Sequence, residues 1–187
     1  MWAVNSRTGK NTQNYSTNVP GYRHFPSFGS LYRTKSFSGD FDGDGKNDLI
    51  ADAQGMYTWL NLYDAVGKPV KQINLGPGKV IRNWTTGDFT GDARPDAAVT
   101  TWGDQLLAID GNCLPLWTAD LPIKGTVVEI DDRNKEVIIS DLRNVCKVDS
   151  SGKLTKFVRL PRTLDQLWVK NGSVYILSAG TISRLQF

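Results

Sequence analysis

The sequence predicts an all-β chain, a β-propeller of about four four-stranded blades, and three observations carry that expectation. An acidic loop recurs: SerGlyAspPheAspGlyAspGlyLysAsnAspLeuIle at 38–50 is matched by ThrGlyAspPheThrGlyAspAlaArgProAspAlaAla at 86–98, an offset of 48 residues. A repeat of that size is the length of one four-stranded propeller blade. The runs between the loops are short, rich in β-branched and aromatic residues, and bounded by Gly, Pro, Asn and Asp, which is how strands and their turns read. No apolar pattern at i, i+3, i+4, i+7 persists over the roughly ten residues a helix needs, so almost no helix is expected.

The elements follow in order. After the first loop come LeuIleAlaAsp at 49–52, TyrThrTrpLeuAsnLeuTyrAsp at 57–64, a Gly-containing turn, and ValLysGlnIleAsnLeu at 70–75. The second loop is followed by AlaAlaValThr at 97–100, LeuLeuAlaIleAsp at 106–110, a turn, and LeuTrpThrAlaAspLeu at 116–121. A third unit, with a worn loop, places strands at 126–132, 137–141, 145–149 and 154–160. A fourth begins with 167–170 and 174–178 and lacks its last strand. The amino-terminal segment TrpAlaValAsnSerArgThrGlyLys at 2–10 has the strand-then-turn form of 60–68 and is expected to complete that blade. The chain therefore reads as one propeller domain over 1–187, with blades at about 31–78, 79–122, 123–161 and 162–187 plus the strand in 1–10. Residues 11–30, rich in Asn, Ser, Gly, Pro and aromatics, are expected to be a long connecting loop.

Composition narrows the function classes. At 187 residues the chain fits one domain. The net charge of +3 is spread without runs of Lys or Arg, so there is no basic stripe for a phosphate backbone and nucleic acid is set aside. No stretch approaches the roughly 20 apolar residues of a membrane helix, and the opening residues lack the layout of a secretory signal. A lone histidine, His24, rules out a multi-histidine metal site and is expected to be an ordinary loop residue. Cys113 and Cys146 are either a disulfide or two thiols, and the tendency of free Cys to be buried favours thiols.

Chemistry concentrates in the first acidic loop. Asp40, Asp42 and Asp44 alternate, Gly45 permits a sharp turn and Asp48 closes the set. Alternation at i, i+2 and i+4 lets carboxylates converge if the chain wraps around a point, as in the first half of an EF-hand loop. With Lys46 able to add its backbone carbonyl, an all-oxygen donor set favours a hard cation with six to eight ligands, Ca²⁺ before Mg²⁺. An Asp/Gly run is also a common solvated turn, but four carboxylates within nine residues repel one another without a cation. The second loop offers Asp88, Thr90, Asp92, Arg94 and Asp96 as a weaker metal site, with Thr90 replacing a carboxylate and Ala93 replacing the turn glycine. In the third unit Asp131 and Asp132 precede ArgAsnLysGlu, and no ligand spacing survives.

GlyAspPheAspGlyAspGlyLysAsnAspLeu at 39–49 resembles the FG-GAP repeat, also called the VCBS-type repeat, of integrin α-subunit propellers and of bacterial surface and secreted proteins. ValAsnSerArgThrGlyLys at 4–10 and AlaIleAspGlyAsnCysLeuProLeuTrp at 108–117 also resemble blades of the pyrroloquinoline-quinone type. The acidic motif is specific and the turn motifs weak; the resemblance covers about 30–160. It implies calcium between the first two strands of a blade, held here by Asp40, Asp42, Asp44, the Lys46 carbonyl and Asp48. It also implies an extracellular or cell-surface setting. Rings of the family usually have seven or eight blades, so about four imply a small closed ring, a half-ring completed by a second copy as a homodimer, or a segment of a longer chain.

The leading functional expectation is a calcium-stabilised binding module that presents loops to a protein or glycan partner. Exposed aromatics for such a partner would come from Trp59, Trp84, Trp102, Trp117, Tyr22 and Phe25, although tryptophans at repeat positions are expected mainly between blades. The alternative is a fragment or accessory domain of a propeller enzyme, a polysaccharide lyase or a quinone-dependent dehydrogenase. No catalytic residue is marked: no carboxylate pair stands apart from the acidic loops and the basic residues are scattered.

Overall fold

Five antiparallel sheets organise the chain in a computed structural model, which describes residues 2–4, 11–14, 35–52 and 58–187. Among these residues there is no helix, and none long and apolar enough to cross a membrane. The chain divides into two compact units, Met1–Gly78 and Lys79–Phe187.

In the first unit β1 (Trp2–Val4) pairs with β2 (Asn11–Asn14) as a two-stranded sheet. The next sheet runs β3 (Ser36–Gly39), β4 (Asp48–Asp52), β5 (Trp59–Tyr63) and β6 (Pro69–Asn74), each strand paired with the one before it. The second unit repeats this meander. Its first sheet holds β7 (Ile81–Gly87), β8 (Asp96–Thr101), β9 (Gln105–Ile109) and β10 (Pro115–Asp120). The second holds β11 (Val127–Asp131), β12 (Glu136–Ser140), β13 (Asn144–Asp149) and β14 (Leu154–Arg159). A third holds β15 (Gln166–Lys170), β16 (Ser173–Ser178) and β17 (Thr181–Arg184). Among the described residues β17 pairs with β16 alone, while β1 is paired with β2; residues 5–10 of the expected closing segment lie outside the described residues.

Alternation explains why the middle sheet is apolar on consecutive positions. On β12, Val137 and Ile139 point into one cluster with Phe89, Ala98, Leu106 and Ala108, while Ile138 points into another with Leu160, Leu167, Val174 and Ile176. β13 repeats the division, Cys146 and Val148 on one side and Val145 on the other. Side chains of successive strand residues face opposite ways, so a sheet sandwiched between two others buries both faces. Burial then falls toward the fourth strand: β8 is buried throughout, whereas β10 and β14 are mostly exposed. The first strands β7, β11 and β15 lie next to one another in that order, which makes them the inner strands of successive blades. Both cysteines are free, buried thiols, and burial pushes Cys146 up to about 12.

The turn between third and fourth strands is the same device three times. Asp64 and Asp149 each accept the amides two and four residues on through one carboxylate oxygen, Val66 and Lys68 at 3.1 and 2.7 Å and Ser151 and Lys153 at 2.9 and 3.0 Å, and Asp110 accepts the amide four residues on, Leu114 at 2.7 Å. The residue three after each Asp is left-handed, Gly67 at φ 82°, Cys113 at φ 61° and Gly152 at φ 86°. An Asp that bonds its own following backbone is the expected start of such a turn. This accounts for the recurring Gly-containing turns.

Candidate metal centre

The first acidic loop leaves β3 at Gly39 and enters β4 at Asp48, so the strand pair β3–β4 fixes both ends. Its backbone is wound by its own carboxylates. Asp40 accepts the amides of Gly43 and Gly45 at 2.8 and 2.9 Å, Asp42 that of Asp44 at 3.0 Å, and Asp44 that of Lys46 at 2.8 Å. Asp48, buried at the start of β4, accepts the amides of Phe41 and Asp42 at 3.1 and 3.3 Å. Gly43 and Gly45 take φ of 83° and 81°, the left-handed turn that the two glycines make cheap. Phe41, 1% exposed, anchors the loop in the core.

This winding brings one oxygen from each of Asp40, Asp42 and Asp48 within 4.8 Å of one another. The donors are all carboxylate oxygens, which suits a hard divalent cation that takes further oxygens from backbone and water. Asp44 lies outside this group: its carboxylate pairs with the Lys46 ammonium at 2.7 Å. That hydrogen bond, made at the surface, holds the Asp44 carboxyl below its ordinary value. Burial pushes Asp48 up, and the negative charges of Asp42 and Asp44 add to the push against its two amide bonds. A cation among these oxygens would relieve that unfavourable crowding of charge.

The second loop, between β7 and β8, is wound the same way but neutralised differently. Asp88 accepts the amides of Gly91 and Ala93 at 2.6 and 3.2 Å, Asp92 that of Arg94 at 2.9 Å, and Asp96 those of Phe89 and Thr90 at 3.1 and 2.9 Å. The Arg94 guanidinium bonds the Asp92 carboxylate at 2.6 and 3.0 Å and reaches Asn112 at 3.1 Å. Lys135 brings its ammonium to the Asp88 carbonyl and carboxylate at 2.9 and 2.8 Å. Burial pushes Asp88 up, yet the Lys135 ammonium and the loop amides outweigh it and hold the carboxyl below its ordinary value. Asp88, Asp92 and Asp96 are not among the described carboxylates that converge. In the third unit Asp131 bonds Asn134 through both oxygens, at 3.3 Å to its amide and 2.7 Å to its side chain.

Ala93 takes the place of Gly45 and adopts nearly the same left-handed backbone, φ 66° against 81°. An L-residue there carries a cost of about 1–2 kcal/mol. Because Ala93 is exposed and loses no packing, Ala93→Gly is expected to stabilise the protein by about 1 kcal/mol, net of glycine's greater unfolded entropy. The midpoint of urea unfolding checks this, with an unchanged slope.

The aromatic expectations divide. Trp84 is buried, and Trp59 and Trp117 are half-buried, but Trp102 is 56% exposed, which corrects its assignment between blades. It stands at the β8–β9 turn, where its ring covers the Arg82 guanidinium at 4.5 Å. Tyr22, Phe25 and His24 lie outside the described residues. Two kinds of residue went unread in the sequence: Phe41 and Phe89, which anchor the loops, and Lys135, which reaches a loop one blade away. The phenylalanines had a signal, since each follows the first Gly-Asp of its loop.

Similarity to known proteins agrees with this architecture. Saccharomyces cerevisiae Sqt1 superposes with a TM-score of 0.72 at 11% identity, covering 98% of this chain and 52% of that one. BBS1N, solved in complex with ARL6DN, gives 0.62 at 12% identity over 75% of this chain and 47% of its own. The WD40 β-propeller domain of Doa1 gives 0.56 at 16% identity over 75% and 47%. The chain thus spans about half the length of these structures, and at such identities the likeness concerns fold: this is an all-β repeat chain of β-propeller blades. Residues 40–99, from the first acidic loop into β8, match the FG-GAP-like repeat. A search of curated proteins by sequence returns no match.

Proposed function

We propose that this chain is a calcium-stiffened blade module whose loops engage a protein partner. The observation that supports it is the convergence of Asp40, Asp42 and Asp48 within 4.8 Å at the mouth of the β3–β4 pair. Those three side chains would hold the ion, with the Lys46 carbonyl as a further donor and Asp44 joining only on release from Lys46. Bound calcium supplies charge neutralisation and a rigid tie between the ends of the two strands, which fixes the blade's register. Exposed loops on a rigid scaffold then serve recognition. The BBS1N structure, solved with ARL6DN, supports a protein in preference to a glycan as the partner. An ion of this kind is most useful where calcium is plentiful, outside cells or at their surface.

Melting curves in chelator and in excess CaCl2 test the reading. At a calcium level 100-fold above Kd, binding adds about 2.7 kcal/mol, so the melting temperature is expected to rise by roughly 5–10 °C. Asp42→Ala removes one of the three converging carboxylates and is expected to abolish the rise. Identical wild-type curves with and without calcium would sink the proposal.

A further inference from the structure

The two acidic loops share a backbone and differ in what is left of their charge. In the first, Lys46 pairs with Asp44 and leaves Asp40, Asp42 and Asp48 to face one another. In the second, Arg94 pairs with Asp92 and Lys135 with Asp88, and Asp96 is held by the amides of Phe89 and Thr90 with no ion pair among the described residues. We infer that Lys135, with Arg94, is the resident cation of the second loop: a tethered ammonium replaces the divalent ion there and locks the loop to the following blade.

Contacts around Asp88 carry the inference. Lys135 sits on the β11–β12 turn, 47 residues from Asp88, and its ammonium holds both the carbonyl and the carboxylate of that residue. Asp132, on the same turn, accepts the Asp88 amide. The amide, the carbonyl and one carboxylate oxygen of Asp88 are thereby held by one turn of the next blade, while its other carboxylate oxygen takes the Gly91 amide of its own loop. Neither side chain of the ion pair is freely solvated, with exposures of 37% for Lys135 and 23% for Asp88. Lys135 is itself left-handed at φ 56°, a backbone state that side chains disfavour and that the surrounding contacts hold. An ammonium carries one charge and three donors, suited to one carboxylate and one carbonyl. Being covalently attached, it also remains at any calcium concentration, whereas an ion's contribution follows its free level.

The inference stands on the second loop alone and does not need the ion proposed for the first. Its test is made on the full chain carrying Asp42→Ala, which silences the first loop. In that background Lys135→Met with Arg94→Met is expected to melt roughly 5 °C lower in chelator. Excess CaCl2 is expected to restore the loss, because Asp88, Asp92 and Asp96 are freed for an ion. The Asp42→Ala chain with Lys135 and Arg94 intact is expected to ignore calcium. The inference is overturned if the methionine pair gains no calcium response, or if the second loop responds to calcium with both cations in place. Should the methionine pair fail to fold, Lys135→Gln with Arg94→Gln, which keeps donors and drops both charges, is judged by the same readout. Failure of the calcium reading of the first loop would show separately, as equal responses of wild type and Asp42→Ala.

Discussion

Phe89→Ala is expected to destabilise the second unit by about 3–5 kcal/mol, the cost of emptying a buried aromatic site. Phe89 is fully buried and belongs to a cluster with Ala98, Leu106, Val137 and Ile139, which joins the sheet of β7–β10 to that of β11–β14. Its ring also meets the edge of Trp117, with centroids 6.1 Å apart and planes at 63°, a favourable aromatic geometry. The loss goes beyond packing, because the Phe89 amide is one of two that Asp96 holds. A loop whose anchor is gone would release that amide and loosen the start of β8. Thermal unfolding is expected to fall by roughly 10 °C. A change of less than 2 kcal/mol, about half the usual cost of such a truncation, would mean that the acidic loop is not tied to the core through its phenylalanine.

Gly87→Ala is the second large effect. A Cβ at Gly87 would stand 2.5 Å from the Asp132 carboxylate and 2.9 Å from a methyl carbon of Ile130. No side chain fits at such distances, so β11 would have to move away from β7. Overpacking of this kind costs about 1–3 kcal/mol, and separating the strands would also weaken the hold of Asp132 and Lys135 on Asp88. We expect a loss near the top of that range, about 3 kcal/mol, in denaturant unfolding. Gly103→Ala is the control: its nearest neighbour would be the Thr101 hydroxyl at 3.7 Å, ordinary contact distance, and a change within about 0.5 kcal/mol is expected. Equal effects at the two glycines would contradict the close approach of β7 and β11.

Much of the fold was legible because the signals are local. The 48-residue spacing of the acidic loops, the short β-branched runs and the Gly-containing turns each depend on residues close in the chain. The winding of both loops is equally local, since each carboxylate bonds an amide no more than seven residues away. The candidate site was legible only in part. Asp40, Asp42, Asp44 and Asp48 all read as ligands, and three of them converge, yet Asp44 turns to its neighbour Lys46 and lies outside the group. Spacing counts carboxylates; the direction each takes depends on the cation nearest to it. Trp102 shows the same limit, for a tryptophan in a repeated strand pattern read as core and instead covers Arg82 at a turn.

By itself, then, the order of amino acids determined the strands, the blade period and the turns that close them, because dihedral preference and amide-to-carboxylate bonding act over a few residues. Tertiary structure alone decided which acidic loop keeps uncompensated charge. Lys135 meets Asp88 only when two successive blades stack. Coulomb attraction depends on distance in space and not on separation along the chain, so nothing near Asp88 in the sequence announces its partner.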